Sequence, residues 1–513
     1  MYLGIDLGTT NVKAVVVEDN GKIRATGTSA VARSSTPDGG VEQDIEQIWE
    51  AAGLAIRQAV ASLDAGAVRA IGVSSQGGSL QCLDANDRPR GHVVSWLDGR
   101  GCPFDLRLVE ELGVDFLAEH IGHGGSSMTL GQVLRIREES PAWLQWPNRL
   151  AFVGDIIVGR LCGRRAHDPS SLSIAMLYNP WLRRADPQML LRLGIEERQL
   201  PDLVGPATVA GSLRADVADR IGLRPGIPVS PAIHDQYAAA LGTGTIAPGE
   251  ITFGSGTAWV LLATTDRLAR PAVDKAIVCH HAIPHRFGQM LPIGNGGSAI
   301  DWAMKLVGKT TVDAIEVDNL VDEAAPGSQG LRFWPLVNPG VQTSPPFQHG
   351  GRIEGITRSR QPCHFVRAVV EGLACELARH LDFLKTAGIA VDKLVMCGSA
   401  TSSRTTPQIV ADVTNVPIAC VELPDVSAFG AAMIARTLAD ASIELSHVAR
   451  QWSPPSRIVE PGSGARLGRE LLDAYLAPFR AAAERAQPSL HPAHGRRALP
   501  ANGRRRTVDD TVV

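Results

Sequence analysis

The chain has 513 residues and a formal net charge of -3, from 50 basic and 53 acidic side chains. That balance gives no electrostatic ground for a nucleic-acid partner, and the length is too great for one ordinary core but sufficient for two large domains. The eight cysteines (Cys82, Cys102, Cys162, Cys279, Cys363, Cys375, Cys397, Cys420) form no CxxC pair, so neither a zinc ribbon nor a dense disulfide framework is suggested and reduced thiols in the cytoplasm are expected. Asp6 interrupts the first apolar stretch, no basic segment with a cleavage site precedes it, and no apolar run is long enough for a bilayer, so the expectation is a soluble protein with no membrane partner.

Residues 2–6 and 12–18 are β-rich and joined by Gly8-Thr9-Thr10-Asn11, which predicts a hairpin. Asp19-Asn20-Gly21-Lys22 turns the chain into a third strand over 23–29. Apolar residues at Ile45, Ile48, Trp49, Ala52, Leu54, Ile56, Val60 and Leu63 approach helical spacing behind Asp44 as N-cap, and AIGVSSQGG (70–78) reads as a buried strand ending in small residues. Strands alternating with helices imply a mixed α/β sheet.

The second half starts the same way. GEITFGSGTAWVLLAT (249–264) is strand, Gly-Ser-Gly-Thr turn, strand; HFVRAVVEGLACELARHLDFLKTAG (364–388) is a long amphipathic helix; KLVMCGSAT (393–401) is a strand running into small residues. The order hairpin, helix, strand thus occurs twice, a repeated architecture without strong identity between the copies. Two such domains facing each other would leave a ligand cleft between their glycine turns. Proline and glycine clusters over 325–351 predict irregular loops. The segment 488–513, poor in large apolar groups and rich in Pro and Arg, predicts a solvated, disordered tail.

A strand ending Asp-Leu-Gly-Thr-Thr presents a carboxylate beside backbone N–H groups that no side chain shields. Glycine lets a phosphate approach the main chain, hydroxyls add donors, and Asp6 can hold Mg2+ directly or through water. The alternative is that Asp6 and Thr9 only close a hairpin; the matching turn Gly254-Ser255-Gly256-Thr257 weighs against it.

The opening segment resembles the phosphate loop of the sugar kinase, actin and heat-shock chaperone superfamily. PAIHDQYAAALGTGTIAPGEITFGSGTAWVLLAT (231–264) resembles the core of the FGGY carbohydrate kinases, and GGVEQDIEQIW (39–49), SWLDGR (95–100), NGGSAIDWAMKL (295–306), VVEGLACEL (369–377), CGSATSSRTTPQIVADV (397–413) and AFGAAMIA (428–435) follow in the family's order. The resemblance spans roughly residues 1–440. It implies two ribonuclease H-like (actin-like ATPase) domains with a cleft between them: a sugar-binding side over 1–245, a nucleotide-binding side over 246–440, then a helical extension over 441–487 before the tail. It also implies ATP and Mg2+ as ligands, a small-molecule sugar as substrate, and leaves a homodimer open.

Residue roles come from the same resemblance. Asp235 matches the family's general base, with helix capping as the structural competitor. Asp6 and Asp235 are the metal candidates. Gly8, Thr9, Thr10, Asn11, Lys13, Gly254, Ser255, Gly256, Thr257, Gly297 and Ser403 form the nucleotide set, together with Gly398, Ser399 and Ala400, which stand where the family has Gly-Gly-Ala. Lys13 could equally make a surface salt bridge. Gln76, Gly77, Gly78, Trp96, Asp98, Asp155, Asp235 and Gln236 are the sugar candidates. Xylulokinases carry Gln-Met-His-Gly and glycerol kinases Gln-Arg-Glu where this chain has Gln76-Gly77-Gly78-Ser79. Glycerol is therefore disfavoured, and the pocket is either larger or lined from elsewhere.

The expected reaction is ATP-dependent phosphorylation of a ketose such as xylulose. The alternatives are another sugar, polyol or sugar acid (fuculose, gluconate, erythritol-like), an actin- or chaperone-like ATPase, or a weak sugar sensor. Cys279-His280-His281 lacks a partner cluster at metal-ligand spacing and reads as a strand end. His234 could tune the base or cap a helix, and Trp302 has core spacing.

Overall fold

A computed structural model describes residues 1–64, 66–310, 313–335 and 350–486; the tail over 488–513 and the loop over 336–349 lie outside the described residues. β1 (Tyr2–Leu7) and β2 (Asn11–Val17) form the first hairpin, with Asp6 opposite Lys13, and β3 (Ile23–Ala30) continues the meander. β1 is buried on both faces apart from Asp6, which is why it reads as an unbroken apolar run. Helix α1 (Ile45–Val60) follows; the Asp44 carboxylate accepts from the Glu46 N–H, and Ile45, Ile48, Ala52, Ile56 and Val60 face the core. Leu54, counted with them in the sequence, faces solvent at 44% exposure.

β4 (Ala70–Ser75) then pairs parallel to β1. Three short strands, β5 (Ala166–His167), β6 (Asp202–Leu203) and β7 (Gly211–Ser212), precede β8 (Pro228–His234), and the eight strands assemble in the order β6-β5-β8-β4-β1-β2-β3 with β7 on β8. Helix α2 (Asp235–Thr243) leaves the end of β8.

The second sheet repeats the plan. β9 (Glu250–Ser255), β10 (Trp259–Thr265), β11 (Ile277–His280) and β12 (Phe287–Pro292) are antiparallel, and helix α3 (Gly297–Leu306) follows. After the long α4 (Pro362–Thr386), β13 (Lys393–Cys397) pairs parallel to β9, as β4 does to β1. Helix α5 (Thr405–Thr414), β14 (Ile418–Cys420), helix α6 (Val426–Ala439), β15 (Arg457–Val459) and helix α7 (Ala465–Ala486) complete the fold, with seven strands ordered β11-β12-β10-β9-β13-β14-β15.

Although it comes late in the chain, α6 packs on the first sheet, placing Ala428, Phe429, Ala432 and Met433 in one core with Tyr2, Val15, Ala70 and Ile233. The approach is very close. A Cβ at Gly72 would lie 1.8 Å from the Ala431 carbonyl oxygen, and one at Gly430 would lie 1.9 Å from that of Ala238 on α2. Helix α6 therefore rests directly on the strand backbone and on α2.

Three sequence expectations need adjusting. Trp302 is not core: it is 36% exposed and stacks on Phe333 with ring centroids 5.7 Å apart, because α3 turns Ala299, Ala303 and Met304 inward and leaves the indole at the border of that stripe. Within 325–351 the described part is ordered into a short 3-10 turn, Ser328–Gly330, and a strand, Arg332–Trp334, that pairs with Arg352–Glu354. Two segments between β3 and α1 (Ser34–Ser35, Val41–Gln43) and three between β4 and β8 (Pro89–Val94, Leu80–Leu83, Arg149–Phe152) also form a five-stranded sheet that the sequence did not announce. All eight cysteines are free, and no helix among the described residues is long and apolar enough to cross a membrane.

Candidate active site

Two glycine turns and two carboxylates meet at the ends of the sheets. At the first turn a Cβ on Gly8 would lie 2.7 Å from the Asn11 carbonyl oxygen, so the tight reversal requires glycine. Just before it, Asp6 Oδ1 accepts from Ser74 Oγ at 2.8 Å, the two residues being register partners across β1 and β4. Burial, reinforced by the Asp235 carboxylate, pushes the Asp6 pKa up to about 7.

Asp235 is the first residue of α2, where the positive end of the helix favours a carboxylate. Burial still raises its pKa to about 6, against the opposing hydrogen bonds from Gln236. Its side chain remains 30% exposed. Ser427 at the start of α6 donates to the Asp235 carbonyl at 3.1 Å. The choice left open for His234 is resolved: its side chain caps nothing, and its Nε2 lies 3.2 Å from Asp235 Oδ1. Burial pushes the His234 pKa down to about 3, so the ring is neutral.

Gln236 reaches the second turn, where a Cβ on Gly254 would meet its Oε1 at 3.0 Å. The N–H groups of Gly297 and Ser298 donate to the carbonyls of Gly256 and Thr257, both at 3.0 Å, so the start of α3 is fastened to this turn. Ser255 Oγ donates to the Cys397 carbonyl at 2.7 Å, and Gly398, at φ +101°, packs against the Ser255–Gly256 backbone. Ser399 Oγ donates to the Ser255 carbonyl at 3.4 Å, so serine in place of the family's glycine keeps this loop on the turn. Gly254, Ser255, Gly256, Thr257, Gly297, Gly398 and Ser399 are therefore one constellation. Ser403 stands apart, its hydroxyl donating to Asp318 Oδ1 at 2.6 Å in the network that starts α5.

Thr10 and Thr257 are exposed at their turns. The Thr9 hydroxyl is turned away from open solvent: it donates to Gln76 Oε1 at 3.0 Å and accepts from Trp96 Nε1 at 2.9 Å. Gln76 also accepts from Ser79 and donates to Gln43 Oε1 at 3.1 Å, while Gln43 donates to the Thr9 carbonyl at 3.0 Å. This network ties the first turn to the 76–79 and 95–98 loops. Lys13 pairs with Asp425 at 2.5 Å, the salt bridge weighed from the sequence, although the partner lies on the distant segment before α6.

Asp98 and Asp155 are committed inside the fold. Asp98 accepts from Val41 N–H and Gln132 Nε2 and pairs with Arg100 at 2.6 Å; Asp155 accepts from Phe152 N–H and pairs with Arg165 at 3.1 Å. Asp155, Gln76, Gly77, Gly78 and His167 border a cavity of about 10 Å³, room for one water and far too small for a sugar. The volume beside the two glycines is already occupied: a Cβ at Gly77 would meet His234 and Ile174 at 2.5 Å, and one at Gly78, where φ is +74°, would meet Met128 Sδ at 2.9 Å. Of the two expectations for the Gly77-Gly78 departure, the structure favours lining from elsewhere over a larger pocket. Ser74, Asp425, Ser427 and Met128 are site neighbours that no motif signalled; Gln43 lay within the GGVEQDIEQIW stretch but its glutamine was not singled out.

Comparison with known families decides the class. The N-terminal domain of the FGGY family of carbohydrate kinases matches residues 1–242, and its C-terminal domain matches residues 251–439. The chain belongs to the FGGY family of carbohydrate kinases. This kinase is 27% identical over 446 residues to the xylulose kinase of Escherichia coli (strain K12), covering 86% of this chain and 90% of the relative. It is 25% identical over 448 residues to the L-fuculokinase of Salmonella typhi, covering 84% of this chain and 91% of the relative. The crystal structure of a xyloylose kinase from Brucella ovis superimposes with a TM-score of 0.83 at 26% identity, covering 94% of this chain and 99% of that one. The enzyme is thus an ATP-dependent carbohydrate phosphotransferase with the two-domain actin-like ATPase fold.

Whether Trp96 serves the sugar, as the sequence leads one to expect, is open to an early test. Trp96→Phe keeps the ring but deletes the Nε1–H bond to Thr9. Loss of one such bond, about 1 kcal/mol, should raise the acceptor KM by roughly fivefold and leave the ATP KM within twofold; an unchanged acceptor KM in steady-state kinetics would separate this network from acceptor binding.

Proposed function

We propose that this kinase transfers the γ-phosphoryl group of ATP to a hydroxyl of a ketose such as xylulose, with Asp235 as general base. The observation that carries the assignment is the position of Asp235, partly open to the cleft, with Asp6 on one side and Gln236 and the Gly254–Thr257 turn on the other. The acceptor O–H gives its proton to the Asp235 carboxylate as the oxygen bonds to the γ-phosphorus, and the bond from that phosphorus to the bridging oxygen breaks to release ADP. The backbone N–H groups of both glycine turns would hold the phosphates, and Gln76 and Trp96 would orient the sugar.

The carboxylates fit a divalent cation. The Asp235 carboxylate adds to the cost of ionising Asp6, which a cation relieves. No group of three or more ligating side chains occurs among the described residues, so the ion would draw its remaining oxygens from water and phosphate, a habit of Mg2+. When bound, Mg2+ neutralises phosphate charge.

A second acceptor class keeps its place because the curated relatives include an L-fuculokinase and because Gly77-Gly78 departs from the xylulokinase pattern. The deciding experiment is ADP release with Mg-ATP across ketoses, aldoses, polyols and sugar acids. Stimulation by xylulose above all others supports the first assignment, and stimulation by fuculose, gluconate or a polyol alone replaces it.

The pH profile gives an independent check. A base must be ionised to accept a proton, and the Asp235 pKa is raised to about 6. kcat/KM should therefore fall by at least about tenfold per unit below pH 6. A limb placed at the ordinary carboxylate value near pH 4 would contradict the assignment.

A further inference from the structure

Gly77 and His234 compete for one volume. β4 and β8 run parallel with Ser75 opposite His234, so the chain leaving β4 passes directly beside the imidazole. A Cβ at Gly77 would lie 2.5 Å from His234 Cδ2 and 2.7 Å from its Nε2, with Ile174 Cγ2 closing the other side at 2.5 Å. The ring has little freedom to retreat. It is 5% exposed, its backbone N–H is held by Ser170 Oγ at 3.1 Å, and Ser170 is itself held by Asp168 at 2.7 Å. The two ring nitrogens are not equivalent: Nε2 faces Asp235 Oδ1 at 3.2 Å, while Nδ1 has no protein partner among the described residues. An Nε2–H tautomer would direct a donor at that carboxylate oxygen. The imidazole thus stands against one carboxylate oxygen, beside the hydrogen bonds that Gln236 gives the same group.

We propose that His234 is the positioning residue of the base and that Gly77 is the residue that admits it, so that an imidazole at 234 and a side chain at 77 are mutually exclusive. This rests on Asp235 being the base. It identifies what the paired glycines accomplish: they surrender contacts from the 76–79 loop and in exchange let the residue before the base fix its carboxylate. Misplacement of a reacting group by as little as 1 Å can cost about a hundredfold, so a restraint on the carboxylate beyond the one Gln236 supplies carries weight.

The test is a cycle of Gly77→Ala, His234→Ala and the double variant, with His234→Gln as the conservative replacement whose amide N–H reproduces the donor. His234→Ala should lower kcat by about 10- to 100-fold with the ATP KM within twofold, and His234→Gln should recover at least part of that loss. Gly77→Ala should mimic His234→Ala by displacing the ring, and in the double variant the added methyl should cost less than it does beside the imidazole, only Ile174 remaining in its way. Independent, additive losses, an unchanged kcat in His234→Ala, or a glutamine no better than alanine would each overturn the proposal. Thermal unfolding of the same four proteins and the 15N-histidine NMR spectrum provide readouts that do not need turnover: the Nε2–H tautomer should be present in the wild type and perturbed in Gly77→Ala, and the unfolding shifts should be non-additive. If no acceptor stimulates the wild type, the assignment of Asp235 fails on its own, while an Nδ1–H tautomer or additive unfolding shifts would still refute the shared volume.

Discussion

Asp235→Asn should reduce acceptor-dependent ADP release by about 10²- to 10⁴-fold, the range supplied by a positioned base, while ATP binding measured by calorimetry stays within a few-fold. The substitution preserves volume and removes only the proton acceptor. Its effect on stability has the opposite sign. Because the Asp235 pKa is raised to about 6, the fold prefers the protonated carboxyl, and the stability gained from this preference is complete below the unfolded value near 4 and is lost as pH climbs through about 6. At pH 8 the wild type carries the cost of a buried charge that asparagine lacks, so Asp235→Asn should unfold at the same or a higher temperature. An inactive variant that is also less stable would reveal a structural role, and an active one would remove Asp235 from the chemistry. An elevated pKa beside a second carboxylate is the combination expected of a site shaped for reaction, since stability alone would not select it.

Gly72→Ala should be the most damaging single-methyl change. Its Cβ would lie 1.8 Å from the Ala431 carbonyl oxygen, a backbone atom that no rotamer change can move. Helix α6 would have to lift from β4, and overpacking of this kind costs about 1–3 kcal/mol, a fall in Tm of roughly 2–6 °C for a domain of this size. Turnover should fall as well, because the start of α6 carries Ser427, bonded to the Asp235 carbonyl, and follows Asp425, paired with Lys13. Gly99→Ala is the control, since its Cβ would meet nothing nearer than 3.8 Å. Equal melting temperatures for the two variants would show that α6 accommodates the methyl and is not seated on bare backbone.

The sequence made the repeated plan visible wherever local signals were strong. Asp44 does cap α1, both glycine turns join the strands expected of them, and the long helix after residue 362 ends just before Gly388. The same signals could not show partnerships made at a distance. Thr9 looked like a phosphate donor because hydroxyls beside a glycine turn usually are, yet its side chain is engaged by Gln76 and Trp96, 67 and 87 residues away. Asp98 and Asp155 have the residue type of sugar ligands, and only the fold reveals the Arg100 and Arg165 that claim them. Trp302 had core periodicity but sits at the edge of its helix stripe. The Gly77-Gly78 pair read as missing side chains; that His234, Ile174 and Met128 fill the space depends on three separate stretches converging, which no linear pattern records.

The placement of α6 has a consequence for the order in which the protein is made. The strands of the first sheet through β4 leave the ribosome early, but the helix that covers Tyr2, Gly4, Ala70 and Gly72 begins only at Val426. At roughly 5–20 residues per second that is a delay of tens of seconds, during which an apolar, glycine-lined sheet face has no lid. The first half of this chain thus has its own sheet and its own turn but not its own cover, and a cut between the two halves would strand it without the helix that finishes that sheet.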